Sequence, residues 1–563
     1  MFKTKLKRMW HDDRPFGMRL AIVLGVNIFL AFSLVFFTPC ETFLSNPGDF
    51  SFGFSALALT MGGAALVYIV IASAVMLLLR GLVFDAVTSA LFAFGIGAYV
   101  QGNFMNTSVS ILNGDAIDWS LLTGDAAIGL AVWGIIFVIP FAVRYFSKEV
   151  WNKVMIFVSA FFVVIQATAL VSLLITADKG VMLGDRYLSG DGIYNVGDEN
   201  NVIVLLVDYF DNKYADSMIA EDADVFSELT GFTRFTNCSS MYKQTMPSIP
   251  YILTAEKWYR ETPYSTFSVP AFEKSTFLDR VAESGASIDL YTNGGFLGRK
   301  GIGYASNSVL EHPEINRVGL VKSMLNSVLY RVMPLAMKSL FWYYTDTINN
   351  AVLTPTDDSA ENPAFVIDDA ATYKGLCENG VSYYEDGRDT TFKFIHFMGG
   401  HGPYVLDENA QYSDNTTAMK QYRGCFKVVS EYLAGLKKIG AYDKSTIIIM
   451  ADHGVVYVAD ELSEAPSPVL FVKPAGADSN APMTESAAPV SQSEFHATVL
   501  EALGMDGSDY GCTFFDIDEN AQRTRNFYFR VAYDGSDEES LLEYEINGNV
   551  RDIANWKLTG NKW

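Results

Sequence analysis

Five long apolar runs in the first third of the chain limit its fold more than any other feature. The first, Met18 to Thr38, reads MRLAIVLGVNIFLAFSLVFFT, with Arg19 as its only charge. A helix needs about 20 mainly apolar residues to cross a bilayer, and this run supplies them. Similar runs follow at about 54–79, 82–100, 126–143 and 154–175. A cleaved leader would be shorter and would not be followed by four more such runs. Residues 1–177 are therefore expected to form a transmembrane domain of five helices, about 18–38, 54–79, 82–100, 126–143 and 154–175.

Loop charge sets the expected orientation. The N-terminal MFKTKLKRMW and the loop RYFSKEVWNK are basic, whereas 41–49 and 101–125 contain acids and no Lys or Arg. Basic loops stay in the cytoplasm. The N-terminus is expected there, at a multi-pass cell membrane, and an odd number of crossings puts everything after Ala177 outside. The net charge of −23 excludes nucleic acid as a partner, since phosphate backbones require Lys and Arg.

Beyond the spans, 178–200 reads as a Gly-, Asp- and Asn-containing linker, 201–515 as an α/β domain and 516–563 as a small C-terminal antiparallel subdomain. Three apolar blocks organise the α/β part. NVIVLLVDYFD ends in Asp208. TFKFIHFMGGHGPY has His396 inside it and His401 just past it. STIIIMADHGV stops at Asp452, His453 and Gly454. Such blocks suggest strands covered on both faces. Helical patterns such as AMKQYRGCFKVVSEYLAGLKKIG alternate with them, which implies a mostly parallel sheet. Ligands of such sheets bind beyond the carboxyl ends of the strands, where Asp208, His401, Asp452 and His453 would gather. Taken alone, ADHG also reads as a turn, and His396 as a core histidine.

The stretch KQTMPSIPYILTA sets Thr245 at or just before a helix start. Pro247 and Pro250 suit the opening turn. Free N–H groups there favour an anion, although a threonine is also a common helix cap. Val318–Tyr344 reads as a broken amphipathic helix packed on the outer domain, or alternatively lying on the membrane surface. Cys377 and Cys425 are a candidate disulfide pair; no CxxC motif is present.

A strand ending in Asp208, then Thr245-x-Pro-Ser and Leu-Thr-Ala, then the strand before His401-x-Pro-Tyr, then ADHG: this order resembles the alkaline phosphatase/sulfatase superfamily. With five N-terminal spans it looks like the membrane-anchored lipoteichoic acid synthase-like branch. The resemblance implies a sulfatase-like α/β fold with Thr245 as nucleophile and Asp208, Thr245, Asp452 and His453 as ligands of one divalent cation, Mn2+ first, with Mg2+ or Zn2+ as alternatives. It implies substrate contacts by His401, with His396 nearby; Arg299 and Lys300 are the cations expected to offset an acidic surface beside an anionic substrate.

The implied activity is transfer of a phosphoglycerol or phosphoethanolamine group from a phospholipid donor to a glycan or polymer acceptor, through a phospho-threonine. The alternatives are a phosphodiesterase or sulfatase-type hydrolase of the same fold, and an inactive membrane-tethered binding module. Thr at 245 excludes formylglycine chemistry, which requires Cys or Ser. Ile249 stands where the sulfatase motif has Arg, and Asp208 where the branch often has Glu. Tyr209, with Asp211 offset, favours one metal ion over two.

Overall fold

A computed structural model describes residues 11–47, 50–106, 119–177, 186–258, 267–310, 314–343, 345–353, 363–455, 462–530 and 541–562. The basic stretch 1–10, residues 107–118 of the 101–125 loop and the first part of the 178–200 linker lie outside the described residues.

The chain divides into two compact units. Among its described residues the first holds five helices long and apolar enough to span a membrane: Phe16–Ser45, Phe54–Leu78, Gly81–Phe104, Thr123–Phe146 and Lys148–Thr176. The first helix outruns its apolar stretch and contains a π-helical segment, Ala31–Phe37. Its extra turn is sealed by Thr38, whose hydroxyl donates to the Ser33 carbonyl at 2.7 Å. Residues Ile315–Val352 also belong to this unit. The amphipathic segment expected on the outer domain thus packs on the membrane helices instead. Its buried Val328 and Val332 meet Ala98 and Trp133, so its apolar face is matched to apolar helices.

The second unit is built on a seven-stranded sheet: β1 (Asn200–Val207), β2 (Thr233–Phe235), β3 (Ser287–Tyr291), β4 (Thr390–Phe397), β5 (Ser445–Met450), β6 (Leu470–Lys473) and β7 (Thr484–Ser486). Their order is β7-β2-β6-β5-β1-β4-β3. The central β5, β1, β4 and β3 are parallel, whereas β6 runs antiparallel to both β5 and β2. Side chains alternate along each strand. Val202, Val204 and Leu206 of β1 enter one core with Ile249, Ile252 and Leu253. Ile203, Leu205 and Val207 enter the other with Val428, Tyr432 and Leu436. Both faces are therefore covered, as the unbroken apolar blocks require.

The second core is completed by the helix Ala418–Ile439, whose apolar residues recur every three to four positions. Thr417 caps its start, and Gly440, at φ +78°, ends it. From residue 186 the expected linker is already folded: Tyr187–Leu188 pairs with Ser308–Val309, and Asn195–Val196 with Ser382–Tyr383. The chain ends in a three-stranded antiparallel sheet, β8 (Thr524–Arg530), β9 (Leu541–Asn547) and β10 (Trp556–Lys562). Buried Arg525 anchors this sheet by donating to the Asn237 and Val490 carbonyls at 2.7 and 3.1 Å. Cys377 is exposed, Cys425 is buried, and both are free thiols, so the candidate disulfide is absent.

Candidate metal and nucleophile site

Parallel register brings the key residues level. Leu206 of β1 lies opposite Met450 of β5 and His396 of β4, so Asp208 and Asp452 both leave the sheet at its carboxyl end. Asp208, Asp452 and His453 are all buried, and each offers a ligand atom within 4.8 Å of the others. His453 Nε2 lies 3.9 Å from Asp208 Oδ1 and 3.3 Å from Asp452 Oδ2. Thr245 is the first residue of the helix Thr245–Thr254. Its Oγ1 stands 3.4 Å from Asp208 Oδ2, 3.5 Å from Asp208 Oδ1 and 3.4 Å from His453 Nε2. The four residues singled out in sequence come together.

Several backbone features hold them. Tyr209 adopts φ +60°, an unusual conformation for a non-glycine residue. In that conformation its N–H donates to Asp452 Oδ1 at 3.1 Å, and its carbonyl accepts from the Tyr422 hydroxyl at 2.5 Å. Gly454 has to be glycine. A Cβ there would lie 2.6 Å from Asp211 Oδ2 and 2.7 Å from the Ser467 nitrogen. Asp211 is a structural clamp, accepting the N–H groups of Lys213, Val455 and Ser467 at 3.0, 3.1 and 2.8 Å. ADHG is thus an acid and an imidazole at a strand end, followed by a close backbone approach.

The electrostatics favour a cation. The Gly454 carbonyl, 3.0 Å from His453 Nδ1, can only accept, so Nδ1 carries a proton. In the neutral ring Nε2 then turns its lone pair toward the carboxylates. Asp452 Oδ2 is buried and has no hydrogen-bond partner among the described residues. Burial, and after it the charge of Asp208, pushes the Asp452 carboxyl up to about 6. Burial also raises Asp208, but the His396 hydrogen bond and the neighbouring histidines more than offset it, leaving Asp208 below the ordinary carboxylate range. Two buried acids, an imidazole lone pair and a hydroxyl facing one point make an O/O/O/N donor set that fits a hard or borderline divalent ion.

The other expected residues take different places. His396 is buried and sits between Thr292 Oγ1 (3.0 Å from Nδ1) and Asp208 Oδ2 (3.4 Å from Nε2). It holds the Asp208 carboxylate from behind, the position that histidines take beside candidate ligands in metal sites. His401 is half-buried on the loop after β4, its Nδ1 2.6 Å from the Gly402 carbonyl. Two residues of that loop, Gly399 and Gly400, pass close to Asp208; the Gly400 N–H donates to its carbonyl at 2.9 Å. Arg299 and Lys300 are exposed on the short helix Gly298–Tyr304. His496 is a core histidine bonded to the Tyr251 carbonyl at 3.1 Å, and burial lowers it to about 4.

Two glutamines that sequence reasoning passed over complete the frame. Gln492 donates to the carbonyls of Asp452 (2.6 Å) and Ala451 (3.2 Å), while its Oε1 accepts the Met241 N–H at 2.9 Å. It ties the end of β5 to the segment leading into Thr245. Gln421 donates to the Gly399 and His401 carbonyls at 2.9 and 2.8 Å and accepts from Val405 at 2.8 Å. It fixes the loop on both sides of His401.

What the second unit defines is an α/β fold with a hydroxyl beside a three-residue ligand set at the carboxyl end of its sheet. No protein-family model matches the chain, and no curated protein matches it. Solved structures are similar. An alkaline phosphatase superfamily protein from Vibrio parahaemolyticus is 12% identical at a TM-score of 0.38, covering 67% of this chain and 85% of that one. The phosphonate monoester hydrolase SpPMH from Silicibacter pomeroyi is 11% identical at 0.35, covering 63% and 88%. The lipoteichoic acid synthase LtaP from Listeria monocytogenes is 13% identical at 0.33, covering 65% and 90%. Each is a distant likeness of fold.

Proposed function

We propose that this protein is a membrane-bound, metal-dependent transferase that moves a phosphoglycerol or phosphoethanolamine group from a phospholipid to a glycan or polymer acceptor. One observation carries the reading: Thr245 Oγ1 lies 3.4 Å from both a carboxylate oxygen of Asp208 and Nε2 of His453. The hydroxyl at the start of this helix thus stands beside two metal-capable groups, where an ion held by them would also reach it. A divalent ion held by Asp208, Asp452 and His453, Mn2+ in the first instance and Mg2+ or Zn2+ otherwise, would favour the deprotonated hydroxyl and neutralise phosphoryl charge.

Thr245 attacks the phosphodiester in line. The bond from phosphorus to the lipid oxygen breaks, the lipid alcohol leaves with a proton, and phospho-threonine remains. An acceptor hydroxyl then takes the group and regenerates Thr245. His401, on its glutamine-clamped loop, protonates the leaving oxygen or orients the phosphate. The five apolar helices support a lipid donor: an enzyme held at the bilayer meets headgroups at high effective concentration. The proposed orientation places the N-terminus in the cytoplasm and the α/β unit outside.

The test uses the full chain in bilayer nanodiscs with Mn2+ and labelled phosphatidylglycerol, read by intact mass and lipid analysis. A covalent adduct that maps to Thr245, together with diacylglycerol, is the expected result. Free glycerol phosphate without acceptor labelling would assign a hydrolase. No turnover of any phospholipid would remove the lipid donor.

A further inference from the structure

The segment Ile315–Val352 leaves the second unit and becomes part of the membrane unit before the chain returns at Leu353. It folds as a hairpin. The helix Arg317–Val332 is followed by a 3-10 turn, Leu335–Phe341, and a return helix, Thr345–Leu353. The two ends meet, since the Asn316 N–H donates to the Val352 carbonyl at 2.9 Å. Both ends also sit where the first span finishes and the second begins: the Ser51 N–H donates to Asn349 Oδ1 at 3.0 Å.

The far end of the helix Arg317–Val332 goes deeper. Val328 and Val332 pack on Ala98 and Trp133, which lie roughly 9 and 15 Å along their spans from the nearer helix ends at about 1.5 Å per residue. Helices of this length overhang a hydrocarbon core of about 30 Å by roughly 3 Å at each end. The contact therefore falls inside the apolar layer.

Polar groups between that depth and the ends of the spans must find partners within the protein. Arg331 pairs with Glu41 at 2.8 Å. Its carbonyl accepts from Lys338 Nζ at 2.9 Å and from Asn106 Nδ2 at 3.0 Å. Lys338, 1% exposed, also donates to the Tyr330 carbonyl, so a buried ammonium caps the helix. Asn326 Nδ2 donates to the Phe341 carbonyl at 3.0 Å. Meanwhile Val318 and Leu340 are 78% and 72% exposed, like the outward residues of the spans themselves.

We infer that Ile315–Val352 is a re-entrant membrane element whose outward apolar side chains contact the acyl chains of the leaflet it enters. This inference rests on the five spans and is independent of the chemistry proposed for Thr245.

The test is depth-dependent quenching on the full chain in nanodiscs carrying acyl-chain nitroxide lipid. Cys377→Ser and Cys512→Ser remove the exposed thiols. A fluorophore is then placed by Val318→Cys or Leu340→Cys. Leu66→Cys on the second span and Lys374→Cys, exposed on the second unit, serve as references. All four positions are exposed, so the label need not disturb packing. Labels at 318 and 340 are expected to lose fluorescence to the acyl-chain nitroxide, less than the mid-span Leu66 label and well above Lys374, and to resist a water-soluble quencher. If they follow Lys374 instead, the segment lies outside the hydrocarbon layer and the inference is wrong.

Discussion

Buried acids occur in both units, and they are treated in opposite ways. In the membrane unit Asp85 is met by Arg14 and Arg144, each 2.5 Å from one of its oxygens. Asp12 pairs with Arg14 at 2.8 Å. Each carboxylate oxygen of Asp85 faces a guanidinium, and nothing further is needed to neutralise it. In the second unit Asp208 and Asp452 are buried as deeply, yet the groups around them are a second acid, histidines and a hydroxyl. Asp452 Oδ2 has no hydrogen bond among the described residues. Burying a charge without a partner is expensive. The first arrangement completes itself with its own cations, and the second leaves a buried carboxylate oxygen without one.

The largest expected effect is on the hydroxyl that separates a reactive site from an ion cluster. Thr245→Ala should lower lipid turnover by at least about 1,000-fold and abolish the covalent adduct, while Thr245→Ser should retain both in part. Mass spectrometry beside a turnover assay reads each. Full activity in the alanine variant would remove Thr245 from the chemistry.

Removing one acid from each unit should then move stability in opposite directions. Asp85→Asn leaves two guanidinium groups facing a neutral amide and should cost about 3–5 kcal/mol. Asp452→Asn, in chelator-treated protein, removes the repulsion with Asp208. Its amide oxygen can keep the Tyr209 N–H, and its amide nitrogen can donate to His453 Nε2. That variant should melt higher than the wild type without metal. Added Mn2+ should stabilise the wild type by about 3 kcal/mol at 100 times its dissociation constant, and the variant far less. Thermal unfolding with and without chelator measures all of this. A destabilised metal-free Asp452→Asn would show that its carboxylate is already satisfied.

A smaller effect should come from behind the ligands. His396→Ala removes the hydrogen bond to Asp208 and should weaken metal binding about 10- to 100-fold. His396→Gln should recover part of the loss. Calorimetric titration with Mn2+ at a temperature where both proteins are folded separates the lost affinity from the stability lost to the cavity. Equal affinity in the two proteins would make His396 a core residue with no bearing on the site.

These contrasts were readable in sequence only in part. Asp208, Asp452 and His453 stood out because each ends or follows an apolar block, and a strand end in an α/β sheet has a known use. Thr245 was legible because the prolines after it mark a helix start. Tyr209, Gln421 and Gln492 gave no such signal. Their roles depend on where loops return in space, and a buried glutamine looks like a surface one until its partners are known. Strand direction was hidden for the same reason: β6 is as apolar as β5, and nothing in its residues says that it runs the other way. The placement of Ile315–Val352 was hidden differently. An amphipathic pattern reveals that one face is buried, and leaves open which surface covers it.

A third kind of buried acid refines the comparison with the smallest effect. Asp369 faces neither a guanidinium nor the ligand cluster. It accepts the N–H groups of Met398 and Gly399 at 2.9 and 3.3 Å, and so braces the loop that carries His401. Burial pushes its carboxyl up to about 6, only partly opposed by the Met398 N–H, the Cys425 thiol and the Gly399 N–H. A raised acid binds its proton more tightly when folded. Between the ordinary carboxylate range and about 6 the native state therefore holds more protons than the unfolded one, and stability rises as pH falls through that window. Above about 6 the charged form is buried at a cost. Lowering the pH from about 7.5 to about 5 should stabilise the wild type by about 1 kcal/mol more than Asp369→Asn, which has no proton to gain. Denaturant unfolding of both proteins at the two pH values, with metal held at saturation, gives the difference. Parallel curves would mean that the two backbone N–H groups satisfy this carboxylate as completely as the two arginines satisfy Asp85.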